Sequence, residues 1–137
     1  MTRYFDLSIG QYAEVVHTVT EEDIKVFGDL SGDYNPLHFN ENWARTTMFK
    51  GRIAHGILTA AYISAAIGMK LPGPGTIYLS QSMKFLYPVR IGDTITARVE
   101  IIALNDEKQQ VTLKTICTNQ NLNVVLDGEA LIMLMRQ

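Results

Sequence analysis

Gly56-Ile57-Leu58-Thr59-Ala60-Ala61-Tyr62-Ile63-Ser64-Ala65-Ala66-Ile67-Gly68-Met69-Lys70 is the stretch around which the rest of the chain must be arranged. Its apolar residues at 57, 58, 60, 61, 63, 65, 66 and 67 cover most of a helical circumference instead of one stripe. A helix of that kind is expected to be buried on nearly every side. Leu71-Pro72-Gly73-Pro74-Gly75 follows at once and cannot continue it. Beyond Thr76 the period changes from that of a helix to two. Leu79, Gln81, Met83 and Phe85 alternate with Tyr78, Ser80, Ser82 and Lys84, and Ile95, Ala97, Val99, Ile101 and Ala103 alternate with more polar partners. Two further strands are expected at about Gln110 to Asn119 and Asn123 to Met135, with turns at Gly92-Asp93 and Asn105-Asp106. Successive strands with short connections make an antiparallel sheet. Its apolar face needs a cover, and helix 56–70 is the only segment large enough. The expected class is therefore α+β, one sheet wrapped around one buried helix.

On the N-terminal side, Tyr12 to Val19 reads as a strand. Thr20 with Glu21, Glu22 and Asp23 behind it reads as an N-cap and acidic first turn, starting a helix that Gly32 stops. No linker, repeat or low-complexity segment divides residues 1–137, so one domain is expected. Hydrophobic residues are 47% and charged residues 19%, a globular composition. Twelve basic and fourteen acidic residues without a basic run argue against nucleic acid as a partner. The lone Cys117 cannot form an internal disulfide, and Met1 to Gly10 lacks the apolar core of a signal peptide. The stretch Ile53 to Met69 is marginal in length for a membrane span and rich in small residues. A cytoplasmic protein is expected.

Two segments carry chemistry. In Ser31-Gly32-Asp33-Tyr34-Asn35-Pro36-Leu37-His38, Gly32 permits unusual backbone angles and Pro36 pushes Asn35 into an extended conformation. One reading brings Asp33 and His38 together as a carboxylate–imidazole pair that binds and deprotonates water. The other is an ordinary loop, with Asp33 making a turn hydrogen bond and His38 on the surface. In Gly51 to Ile57, Gly56 falls at the N-terminus of the helix, where free N–H groups and the helix dipole suit a carbonyl oxygen gaining charge. Alternatively, Gly56 only allows close helix–sheet packing. Ser64, two turns on, either faces a substrate or bonds back to the preceding turn. His55 reads as a residue at the helix start that bonds to backbone, and His17 as structural or exposed. Three scattered histidines and one cysteine show no metal-like spacing, and no phosphate loop or nucleophile elbow is present.

Gly32-Asp33-Tyr34-Asn35-Pro36-Leu37-His38, with Ala44 six positions further on, resembles the signature of the MaoC-like (R)-specific enoyl-CoA hydratases. Ile53-Ala54-His55-Gly56, Leu71 to Tyr78 and Pro88-Val89-Arg90-Ile91-Gly92-Asp93 extend the resemblance in the family's order, from about Leu7 to Met135. It implies the hot-dog fold, a curved antiparallel sheet around a long helix, and a homodimer whose sheets join. It implies that Asp33 and His38 activate water, that the Gly56 amide receives the thioester oxygen, that Ser64 lies in the pocket, and that Asn35 is a supporting hydrogen-bonder. The implied reaction is hydration of a trans-2-enoyl-CoA to an (R)-3-hydroxyacyl-CoA. The acyl-CoA is the substrate and no metal or other cofactor is called for.

On this reading the acyl tail lies between helix and sheet, and Ile67, a turn beyond Ser64, is expected to help close the pocket. Arg45, Lys50, Arg52 and Lys84 are the candidate partners of the CoA phosphates. The alternatives are a 3-hydroxyacyl-carrier-protein dehydratase with the same pair, a non-catalytic acyl-CoA-binding module, and a hot-dog thioesterase. Many such thioesterases place an acid on the central helix, where this chain has none.

Overall fold

The computed structural model describes residues 2–135. Strand β1 (Tyr12–Thr18) leads into helix α1 (Glu21–Ser31), two short helices α2 (Pro36–Phe39) and α3 (Glu41–Ala44), and then helix α4 (Gly56–Met69). Strands β2 (Thr76–Phe85), β3 (Thr94–Asn105), β4 (Gln110–Thr118) and β5 (Val124–Leu134) complete the chain. The five strands form one sheet in the order β1-β3-β4-β5-β2, antiparallel at every pairing. Helix α4 lies against its concave face, packing on β1 and β3 and touching β2 and β4. This is the α+β hot-dog arrangement.

The alternation in β3 places Ile95, Ala97, Val99 and Ile101 fully in the core. The expected continuation to Ala103 fails, because the register slips between Ile101 and Ala103. The extra residue turns Ala103 outward and packs Leu104 on the core instead. A second irregularity, between Tyr78 and Ser80, takes Leu79 out of the β2 pattern and leaves it 43% exposed. Further along β2 the backbone runs close to β5: a Cβ on Gly128 would fall 1.9 Å from the Ser82 carbonyl oxygen.

Helix α4 buries Leu58, Thr59, Ile63, Ala66 and Ile67. The expectation of burial on nearly every side needs correction for the single chain. Ile57, Ala61, Ser64, Ala65 and Met69 remain exposed, because five strands curl around only part of the helix. At the other end, Thr20 and Asp23 form a reciprocal capping box that starts α1, and Gly32 ends it in the left-handed conformation at φ 80°.

Candidate active site

Asp33 lies just past the C-terminus of α1, where the chain makes a tight turn. Its amide donates to Ser31 Oγ at 3.1 Å, and its own Oδ1 accepts the Asn35 amide at 3.1 Å. Asn35 in turn caps α2 by accepting the Leu37 amide at 3.1 Å, with Pro36 as the first helical residue. The local rules that make Asp and Asn good turn residues thus hold the carboxylate side chain at the surface with one oxygen uncommitted.

His38 sits in the single turn of α2 and is 8% exposed, so the reading of His38 as a surface loop residue does not hold. Its Nδ1 lies 2.8 Å from the Ile53 carbonyl oxygen. A carbonyl only accepts, so Nδ1 carries the proton and Nε2 keeps a lone pair. Burial lowers the His38 pKa below the usual histidine value; the Ile53 bond opposes that, His55 adds to it, the Asp33 carboxylate opposes it, and Arg52 adds the smallest lowering. The ring is therefore neutral at pH 7, ready to accept a hydrogen bond. An Asp33 carboxylate oxygen and a His38 ring nitrogen lie within 4.8 Å of each other. One water can span that distance with two hydrogen bonds of ordinary length.

The same ring faces a cavity of about 330 Å³ whose walls include Gly56, Thr59, Phe85, Val89 and Val125. Phe85 rests on Gly56, where an added Cβ would come within 2.8 Å of the ring. Close packing and pocket access at Gly56 are therefore two aspects of one arrangement. The Gly56 and Ile57 amides find no acceptor among the described residues. These are the free N–H groups of a 14-residue helix, placed at a pocket wall.

Behind these groups lies a set of contacts that the residue pattern did not foretell. Arg52, with its side chain 14% exposed, donates from Nε to the His38 carbonyl at 2.6 Å and grips both oxygens of Glu21 at 2.9 Å. Each nitrogen of its guanidinium already has a partner, which makes it the most committed of the four candidates for the CoA phosphates. Arg45 pairs with Glu41. Lys84 borders Lys114 and Asp127 on the sheet face away from the cavity. Lys50, exposed and next to the cavity residue Phe49, is the remaining cation of the four.

Ser64 is exposed on the open face of α4 and has no hydrogen-bond partner among the described residues, so it does not bond back to the preceding turn. Ile67 is 1% exposed in the core and is not among the residues that line the cavity. Burial pushes the Cys117 thiol up to about 12, which makes it inert as a nucleophile. Asp33, His38 and His55 are the one group of three potential metal donors among the described residues. One nitrogen of each imidazole is already committed to a backbone carbonyl.

Residues 9–123 match the family described as MaoC like domain. The chain is 53% identical over 131 residues to an (R)-specific enoyl-CoA hydratase of Rhodospirillum rubrum, covering 95% of this chain and 90% of that protein. It is 43% identical to a 3-hydroxybutyryl-CoA dehydratase of Methylorubrum extorquens, covering 94% and 82%. The unliganded R-hydratase of Pseudomonas aeruginosa superposes with a TM-score of 0.91 at 45% identity, covering 98% of this chain and 86% of that one.

Proposed function

The chain belongs to the MaoC-like family, and from that premise we propose that it is an (R)-specific enoyl-CoA hydratase in which Asp33 and His38 activate the water. The observation that carries the residue assignment is the approach of an Asp33 carboxylate oxygen and a His38 ring nitrogen to within 4.8 Å, with His38 itself on the wall of an apolar cavity. In the proposed reaction His38 Nε2 accepts one O–H of the water, and the free Asp33 oxygen takes the other proton as the water oxygen attacks C3. The electron pair of the C2–C3 double bond moves to the thioester oxygen. The Gly56 amide, at the positive end of α4, stabilises that charge. When the enolate collapses, the proton held by Asp33 is delivered to C2, leaving a 3-hydroxyacyl-CoA. The reaction is redox-neutral, and this reading assigns it no cofactor.

The test is a spectrophotometric assay of crotonyl-CoA and longer enoyl-CoAs, run beside the same acyl groups on acyl carrier protein. Hydration of the CoA esters, with the carrier substrates at least about tenfold slower in kcat/KM, is the expected result. The reverse preference would make the chain a carrier-protein dehydratase.

The acyl tail is assigned to the cavity and the apolar region behind it on α4, with Ile67 limiting tail length from the core side. Ile67→Ala removes buried methylenes at a cost of about 2–5 kcal/mol in stability. It should also raise activity on long enoyl-CoAs relative to crotonyl-CoA. Equal loss at every length would reduce Ile67 to core packing alone.

The proposed assembly is a homodimer. Strand β2 is an edge strand, and Leu79, Phe85, Leu86 and Tyr87 are exposed on and just beyond it, as are Ile57 and Met69 on the open face of α4. Pairing of two copies there would close the edge and cover the helix. A monomeric mass by light scattering at micromolar concentration would refute it. No helix among the described residues is long and apolar enough to cross a membrane, and the buried, unpaired Cys117 suits the reducing cytoplasm to which the protein is assigned.

A further inference from the structure

His55 stands at the junction of every part of the site, although it touches neither the cavity nor solvent. It is 2% exposed. Its Nε2 lies 3.0 Å from the backbone carbonyl oxygen of Asp33. Its ring lies against that of His38, with centroids 4.0 Å apart and planes tilted by 33°. Phe27 of α1 and Phe39 of α2 pack on it with centroids at 4.7 and 5.7 Å. It is also the N-cap of α4, one residue before Gly56, and no cap bond comes from its side chain.

Because a carbonyl only accepts, Nε2 must carry the proton. Nδ1 is then a bare lone pair, and it is buried without any partner. A buried polar atom left unsatisfied is destabilising. Stability alone would favour a phenylalanine here, among Phe27, Phe39 and His38. The imidazole therefore needs another reason, and the one polar contact it makes is to the residue that carries the free carboxylate.

We infer that His55 is a positioning residue: its Nε2–H fixes the Asp33 backbone, and its ring face fixes the plane of His38, so that the two stay one water apart while Gly56 is held in register with both. The inference rests on the proposed roles of Asp33 and His38. Asp33 lies on an exposed turn, outside any helix or strand, and its backbone carbonyl is held by His55. Loss of that bond lets the turn move by a fraction of an ångström, and misplacement on the scale of 1 Å can cost about a hundredfold in rate. Substrate binding to the cavity walls should be left largely intact, since His55 is not among them.

The experiment compares His55→Phe and His55→Gln in the full chain, and reads the imidazole ¹⁵N resonances of the wild type. The Phe variant keeps the packing and removes the donor. The Gln variant places an amide N–H near the position of Nε2. Expected are a fall in kcat of about tenfold or more for His55→Phe with KM changed less than about threefold, a kcat at least about threefold higher in His55→Gln, and an Nε2–H tautomer for His55 in the wild type. Unchanged kcat in His55→Phe, no recovery in His55→Gln, or an Nδ1–H tautomer would each overturn the inference. Should His55→Phe fail to fold, His55→Leu takes its place beside His55→Gln with the same expected and overturning results, and the tautomer decides in the same direction. Failure of the underlying assignment looks different: turnover would then survive Asp33→Asn or His38→Gln.

Discussion

The turn from Asp33 to His38 and the stretch from Arg52 to Gly56 meet at one cavity but are built in opposite ways. The turn is held by short-range bonds: Asp33 to Ser31 and Asn35, Asn35 to Leu37. Five of its six residues are at least partly open to solvent, and the chemistry hangs on the side chains they present. The Arg52–Gly56 stretch reaches far along the chain. Arg52 binds Glu21 and His38, Ile53 binds His38, and His55 binds Asp33. The turn sets the order and spacing of the reactive groups by local bonds and leaves the Asp33 side chain open, whereas the buried His38 ring and the Asp33 backbone are aimed by the long-range stretch. Changes in the first region should thus affect rate without stability, and changes in the second should affect both.

The largest effect expected is in the turn. Asp33→Asn and His38→Gln should each lower kcat by roughly two orders of magnitude or more. The asparagine can still accept the Asn35 amide, so Tm should move by only a few degrees. Near-wild-type turnover in either variant would remove the assigned pair. Arg52→Ala is the counterpart in the other region. It orphans the His38 carbonyl, at a cost of about 1–3 kcal/mol in urea unfolding, while the exposed Glu21 side of the ion pair adds little. The accompanying loss in kcat should be smaller than in the turn variants. Arg52→Lys should not restore the two-oxygen grip on Glu21. An Arg52→Ala protein as stable as wild type would erase the contrast between the regions.

The pH dependence gives a finer comparison. His38 must be neutral to accept the water, and burial holds its pKa in the folded protein below the usual histidine value. The acid limb of kcat/KM should therefore have its midpoint below about pH 6.5. A depressed pKa means that the unfolded chain binds the proton more readily. The corresponding stability is fully present above about pH 6.5 and is lost as pH falls toward the folded value. Arg52→Ala removes a positive charge and part of the desolvation, so it should shift that limb upward. A downward shift would contradict the assignment of Arg52 as a neighbour that disfavours the imidazolium. The smallest effect expected is from Lys50→Ala. An exposed cation meeting a phosphate should raise KM for crotonyl-CoA only a few-fold, and less at high salt.

Much of this was legible from residue order. The apolar helix, the N-cap and acidic first turn at Thr20 and the alternation at Ile95 to Ile101 obey local rules, and the sheet follows from them. The register slips at Ile102 and Leu79 did not show, because a bulge is set by the partner strand and not by the strand's own pattern. The short helices α2 and α3 were missed, although Asn35-Pro36 and Asn40 are helix-start residues that could have flagged them. At the site, the Asp33–His38 turn and Gly56 were readable as motifs. Arg52 and His55 were not readable in their roles, since each acts across 14 or more positions of chain. The cavity wall from Phe85 to Val89, joined by Val125, depends on tertiary closure and leaves no periodic trace.

Gly128 has an implication for heredity. Every other amino acid would drive a Cβ into the Ser82 carbonyl, and backbone on both sides leaves no flexible group to yield. In a library of all single substitutions this codon should therefore tolerate one letter only, with alanine depleted nearly as strongly as tryptophan. Selection for any new substrate would find the position closed, and lineages that diverge in specificity should share this glycine long after the cavity walls have drifted apart.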